Sequence, residues 1–361
     1  MLFAYRYKSH QMEMMHEFIE FIFEQVWCNA PNTEYGLELF EECKPLKRIM
    51  DQLYREDLAG KLKDGSGKWF YESVNQIFNE FKKLNVNNID EYRQYFLANN
   101  AIESLCLGSS EHNFVRYSDF DPNMTALNSK LEDFFKKLYS SGFLNLEVVK
   151  RNISSNLNIY YDEFVRLNSM GYCPFCGLQP LDNEFDPTRD AFDHYLPKSK
   201  YPFNSVNLRN LVPSCNKCNS GNKRDKDPLH DSNNNRRRSF YPFSESISNI
   251  EIRVNVLEKN WLHLKPNDLA ISFTSELCQE EVETWKELFK VEERYLARCC
   301  DAAGGREWLN RVFIERENYE LSLEKMLAGE LRCAENKPWI DANFLKKAFL
   351  EGCQLAGLFD A

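Results

Sequence analysis

Apolar residues recur at intervals of three and four along most of this chain. Met15, Phe18, Ile19, Ile22 and Val26 form one such stripe, Phe70, Val74, Ile77, Phe78 and Phe81 a second, and Leu127, Leu131, Phe134 and Leu138 a third. That spacing lines one face of an α-helix, so a helical N-terminal region is predicted, with the stripes as its core. An aromatic stripe can also serve as a partner's docking face. Gly65-Ser66-Gly67 and the polar stretch from Ser109 to Pro122 read as loops. A helix through Tyr161, Phe164, Val165 and Leu167 then leads towards Cys173. Further on the period changes to two: Ile250 to Val256 alternates, Ala270 to Phe273 offers a partner strand, and Pro266-Asn267-Asp268 supplies a turn signal between them, predicting a small hairpin. Helical spacing resumes at Val282, Trp285, Phe289 and Leu296, from Trp308 to Met326, and from Phe344 to Leu358. The pattern divides the chain into a helical region 1–168, a cysteine-bearing module 169–235, and a hairpin with further helices over 236–361.

Composition sharpens this picture. With 361 residues, 43% hydrophobic and 14% aromatic, the chain can bury a sizeable core and is not disordered. No apolar run reaches the roughly 20 residues of a membrane span, and the opening Met1 to Tyr7 lacks a signal peptide's apolar stretch. Twelve cysteines are scattered mostly through apolar segments; Cys28, Cys106, Cys353 and the Cys299-Cys300 pair read as small buried hydrophobes, which fits a reducing cytoplasm. There is no Walker-type phosphate loop, so a nucleotide-driven step requires another chain.

Four of the cysteines behave differently. Cys173 and Cys176 form one Cys-x-x-Cys pair and Cys215 and Cys218 another, with thirty-eight residues between Cys176 and Cys215. Two such knuckles complete the tetrahedral thiolate shell of structural zinc, whereas a redox dithiol would explain one pair and not its twin. Gly177, just after the second ligand, permits a left-handed knuckle backbone. A closed four-cysteine site has no open coordination position, so chemistry must lie elsewhere.

Inside the clamp lie Asp193-His194, then Asn207-Leu208-Arg209-Asn210, and after Cys218 come Asn219, Lys223 and Arg224. In this order the residues from about Gly171 to Pro228 resemble the HNH endonuclease family. With the helical stripes read above, the resemblance implies a small central ββα-metal module stapled by zinc within a mainly α protein. It also implies His194 as general base, Asp193 as ligand of a catalytic Mg²⁺ or Mn²⁺, and Asn210 as the residue that ties down the histidine's loop. Many family members have a histidine where this chain has Asn219, making it a His-Asn-Asn variant. An amide oxygen is a hard neutral donor compatible with Mg²⁺. Lys223, one position later than the commoner spacing, is the candidate transition-state cation, in competition with Lys198, Arg209 and Arg224.

Net charge is −10, which opposes binding of a polyanion. Between His194 and Arg238, however, ten basic residues stand against three acidic ones, a balance of +7 that leaves −17 elsewhere. Lys198, Lys200, Arg209, Arg224 and Arg236, Arg237 and Arg238 are the candidate nucleic-acid contacts; the last three also read as a solvated linker beside Asn233 to Asn235. The acidic remainder makes a partner that delivers substrate plausible, and the resemblance extends to HNH subunits of Septu-like or retron-associated antiphage systems, which work beside an ATPase. The function expected is metal-dependent hydrolysis of DNA phosphodiesters. A catalytically silent binding or adapter module and an RNA or tRNA nuclease are the alternatives.

Overall fold

The computed structural model describes every residue except 1, 2, 4, 62–64, 109–112, 141–142, 145, 169–170, 245–248, 316–318 and 361. The masked positions include part of the opening heptapeptide, the start of the expected 109–122 loop, the first expected segment boundary and part of the 308–326 helical stretch.

Among the described residues the first stripe forms α1 (Met14–Phe21), which widens into a π-helical segment, Ile22–Trp27, closed by the Cys28 N–H donating to the Phe23 carbonyl at 3.0 Å. The other stripes form α3 (Ser66–Phe81) and α6 (Thr125–Ser140). Ser66 and Gly67 lie inside α3, not in a loop as expected. Helices α2 (Lys44–Leu58), α4 (Val86–Asn100), α5 (Ile102–Cys106), α7 (Glu147–Ile153) and α8 (Leu157–Leu167) complete the N-terminal region. Asparagines begin two of these: Asn85 accepts from the Asn88 N–H, and Asn156 from those of Asn158 and Ile159, each satisfying donors that a helix start leaves orphaned.

Two short strands, β1 (Phe192–His194) and β2 (Leu211–Pro213), pair antiparallel, with Asp193 opposite Val212 and His194 opposite Leu211. A π-helix, Lys217–Lys223, follows. The expected hairpin is present as β3 (Glu251–Val256) and β4 (Leu269–Thr274), in register from Glu251 opposite Thr274 to Val256 opposite Leu269. Then come α9 (Gln279–Phe289), α10 (Val291–Cys300), α11 (Gly305–Phe313), α12 (Leu323–Asn336) and α13 (Asn343–Leu355). Lys290, in the left-handed region at φ +49°, breaks α9 from α10. No helix among the described residues is long and apolar enough to cross a membrane.

One continuous set of buried side chains runs from Tyr5 to Cys353 through all three segments. Its aromatic centre joins the π-helical segment after α1 to α4 and α6: Phe23 stacks on Phe96 at 4.3 Å, and the Trp27 ring meets Phe134 edge-on at 5.2 Å. Phe203, from the loop after β1, enters the same centre, 5.4 Å from Phe23 and 5.1 Å from Phe135. Its backbone sits at φ +78°, a strained position for a non-glycine residue that the surrounding rings hold in place.

Candidate functional site

The first knuckle is a narrow turn. Gly177 at φ +63° donates its N–H to the Cys173 carbonyl at 2.7 Å, and Cys173 donates to Gln179 at 2.8 Å. The second knuckle opens the π-helix, with the N–H groups of Cys218 and Asn219 both directed at the Cys215 carbonyl. The four sulfurs are buried and lie within 4.8 Å of one another, Cys176 and Cys215 being 4.0 Å apart. Tetrahedral zinc with Zn–S bonds of about 2.3 Å requires sulfur separations of about 3.8 Å, so these residues fit a structural ion such as zinc.

Three side chains of the C-terminal helices grip this centre from outside, a feature with no spacing motif in the sequence. Trp285 donates from Nε1 to the Phe175 carbonyl at 2.6 Å, Tyr295 from its hydroxyl to the Cys176 carbonyl at 2.8 Å, and Arg294 from Nη1 to the Cys218 Sγ at 3.2 Å. Burial opposes the Arg294 charge, but the neighbouring sulfurs more than offset this and raise its pKa. The guanidinium thereby balances part of the negative charge that four thiolates bring to a metal centre.

Asp193 and His194 are successive strand residues, so their side chains diverge. Asp193 is 3% exposed and faces the π-helix, where the fully buried Lys223 places Nζ 3.1 Å from Oδ1, 3.0 Å from Oδ2 and 2.8 Å from the His194 carbonyl oxygen. Burial pushes the Asp193 carboxyl up, and Lys223 acts against that shift. Asp193 Oδ2 has no partner of good hydrogen-bond geometry. Lys223 ends a π-turn in which the Arg224 N–H reaches the Asn219 carbonyl at 2.7 Å, five residues back.

His194 is half-buried. Its Nε2 lies 2.9 Å from the Ser205 carbonyl, which can only accept; Nε2 therefore carries the proton and Nδ1 holds the free lone pair. Burial pushes the His194 pKa down to about 3, with Lys198 and Lys223 adding to the shift and the Ser205 hydrogen bond opposing it. The Tyr139 ring of α6 meets the imidazole edge-on at 4.5 Å, and Lys198, from the same loop, lies over that ring and donates to the Lys136 carbonyl at 3.2 Å.

Asn210 is wholly buried and laces the loop between the strands. Its Oδ1 accepts from the Leu196 N–H at 2.7 Å, while Nδ2 donates to the Leu196 carbonyl at 3.0 Å and to Asn204 Oδ1 at 3.2 Å. Asn219 is partly exposed beside it in sequence with the second knuckle.

The basic residues separate into two groups. Lys200 is half-buried, Arg209 is exposed with its guanidinium 4.2 Å from the Tyr7 ring centre, and Arg224 is exposed at the end of the π-helix. The arginine triplet is instead committed internally. Arg236 lies over Phe114 and donates to the Leu105 and Leu229 carbonyls, Arg237 pairs with Glu287 and donates to the Asp227 carbonyl, and Arg238 pairs with the buried Glu281 at 2.8 Å. A solvated linker does not describe Arg236 and Arg237, which donate to carbonyls and a carboxylate of neighbouring elements, while Arg238, 43% exposed, keeps one ion pair.

Comparison with known proteins gives one modest likeness. The chain is 26% identical over 156 residues to Protein ea31 of Escherichia phage lambda, covering 43% of this chain and 48% of that protein. It thus spans about half the length of that curated relative. No family model and no solved structure matches the chain.

Proposed function

We propose that this chain is a metal-dependent endonuclease of the HNH kind that hydrolyses phosphodiester bonds in DNA. The observation that carries the reading is the fixed tautomer of His194: with Nε2–H given to the Ser205 carbonyl, Nδ1 is left as a neutral proton acceptor. The lowered pKa keeps that acceptor unprotonated at neutral pH and at the same time makes it a weaker base than a free imidazole. In this reading Nδ1 takes the proton of the attacking water. Asn210 keeps the loop carrying Ser205 in place, so it is a positioning residue. Lys198 and Lys223 place positive charge around the reacting phosphate.

A hydrated Mg²⁺ or Mn²⁺ would be held by the Asp193 carboxylate, with the amide oxygen of Asn219 as the second donor that the family resemblance implies, because such ions retain several waters and bind through one or two carboxylates and the substrate's phosphate. When bound, the ion would supply Lewis acidity at the phosphate. The four-sulfur centre, being closed, contributes architecture only. The exposed Arg209 and Arg224 and the half-buried Lys198 and Lys200 are among the cations left for a nucleic-acid substrate, which in a chain of net charge −10 would be delivered by a partner such as an ATPase subunit of a cytoplasmic antiphage system.

A second reading, a silent binding or adapter module, draws on the Tyr139 ring over His194 and on the ion pair already occupying Asp193. Nicking of supercoiled plasmid with Mg²⁺ or Mn²⁺ separates the two. The enzyme reading expects cleavage by wild type and its loss in His194→Ala with metal content and melting temperature retained. Equal cleavage by that variant refutes His194 as base, and nucleic-acid binding without cleavage under either ion favours the silent module. Single-stranded RNA and tRNA run in parallel decide the substrate class.

A further inference from the structure

We infer that the hollow between the π-helix Lys217–Lys223 and α10, beside the four-sulfur centre, holds a backbone phosphate of the nucleic-acid strand, away from the bond that is cut. The inference rests on the nucleic-acid reading above and adds a contact site to it. The hollow has a volume of about 650 Å³, and its polar lining comprises Gln179, Lys217, Asn222, Arg294, Arg298 and Asp301. Three cations therefore face one carboxylate. Lys217 is exposed and makes no ion pair among the described residues. Arg298 pairs with Asp301 at 3.3 Å, but the two side chains are 30% and 50% exposed. A pair so open to water contributes little, so the guanidinium can turn to a phosphate and meet it with two parallel N–H groups. Arg294 gives Nη1 to the Cys218 Sγ and the Phe289 carbonyl, while its Nη2 has no acceptor. Just beyond, Arg306 and Asp268 act on Cys300 with opposite charges and cancel.

The chemistry of the walls selects the backbone over the bases. No aromatic ring lines the hollow, so a base has no face to stack on, whereas the cations and the Gln179 amide suit phosphate oxygens. Its place along the π-helix ties it to the candidate site. Lys217 opens that helix and Lys223, which bonds to Asp193 and the His194 carbonyl, closes it. Six residues of helix span at most about 9 Å, the rise of two to three nucleotides at about 3.4 Å each, so one strand can reach both ends.

Fluorescence anisotropy of labelled DNA, duplex and single-stranded, with the zinc-loaded full chain and no added Mg²⁺ or Mn²⁺, tests this over a salt series. Lys217→Gln combined with Arg298→Gln is expected to weaken binding at least tenfold and to lower the slope of log K against log salt by about 1 to 2, each lost phosphate contact removing about 0.9. Arg48→Gln combined with Arg55→Gln removes the same charge from α2 and is expected to leave affinity within twofold of wild type. Unchanged binding in the Lys217 and Arg298 double variant, or equal weakening by both pairs, overturns the inference; plasmid nicking and its loss in His194→Ala still judge the enzyme reading separately. A wild type that binds neither form of DNA nor RNA overturns the inference and the nucleic-acid reading together. Binding of AMP that the double variant loses, with DNA binding intact, assigns the hollow to a free nucleotide and also overturns the inference. Should the double variant lose its zinc, acylation of wild-type amines read by mass spectrometry decides: Lys217 is expected to be labelled in the unbound chain and protected by DNA, and equal labelling in both overturns the inference.

Discussion

Replacing Asn210 by alanine tests how the loop after β1 is held. The substitution removes one acceptor and two donors from a wholly buried position and strands the Leu196 N–H and carbonyl, both of which bond to the amide. A buried backbone group left without a partner costs about 1–3 kcal/mol, so two of them together predict a loss of about 2–6 kcal/mol. Asn207 provides the comparison: its side chain accepts from the Arg209 N–H and donates to the partly buried Asn100, and alanine there is expected to cost about 1 kcal/mol. Urea denaturation at constant zinc, followed by intrinsic fluorescence, gives both values. Because the loop also carries the Ser205 carbonyl that fixes the His194 tautomer, plasmid nicking by Asn210→Ala is expected to fall at temperatures where the variant remains folded. An Asn210→Ala protein within 0.5 kcal/mol of wild type would show that the amide network is not what holds this loop.

Two further outcomes follow from the electrostatics. Arg238→Glu places a carboxylate against the buried Glu281 and is expected to destabilise the fold by about 2 kcal/mol, discounted for the partly exposed arginine; an unchanged melting temperature with nucleic-acid binding lost would instead make Arg238 a free contact residue. His194 is held at about 3, below the roughly 6.5 of an unfolded histidine, so as pH falls below 6.5 the unfolded chain takes up a proton that the folded one refuses. Stability present above pH 6.5 is therefore lost progressively towards pH 3, and the loss between pH 7 and pH 5 should be larger in wild type than in His194→Gln; identical pH dependence would contradict the half-buried, neutral imidazole.

The elements whose faces were one-sided could be read from the chain. Stripes through Phe18, Phe78 and Phe134 became α1, α3 and α6, and the alternation at Ile252 and Val254 became β3 with its partner in the expected place. Helix α4 was not legible because its faces are mixed: Asn99 is buried, bonding to the Val115 backbone, while Leu97 is half-exposed. In α2 the stripe through Leu46, Ile49, Met50 and Leu53 carries the same one-sided signal. The paired knuckles placed four sulfurs together because a Cys-x-x-Cys turn is a local device. The contacts that complete the site are long-range and leave no spacing: Tyr139 on His194, Ser205 beneath it, and Trp285, Arg294 and Tyr295 on the knuckles. The arginine triplet shows the limit of reading charge from composition, since a run of three cations looks the same whether it faces water or neighbouring carboxylates.

Four sulfurs, from Cys173, Cys176, Cys215 and Cys218, close enough to hold one ion are the foundation of the proposed function. Elemental analysis combined with native mass spectrometry of chain purified without chelator tests this most directly. One zinc per chain, lost in Cys176→Ser together with the folded state of the β1–β2 module, is the predicted result; a metal-free, fully folded chain whose four thiols react freely with an alkylating reagent would contradict it.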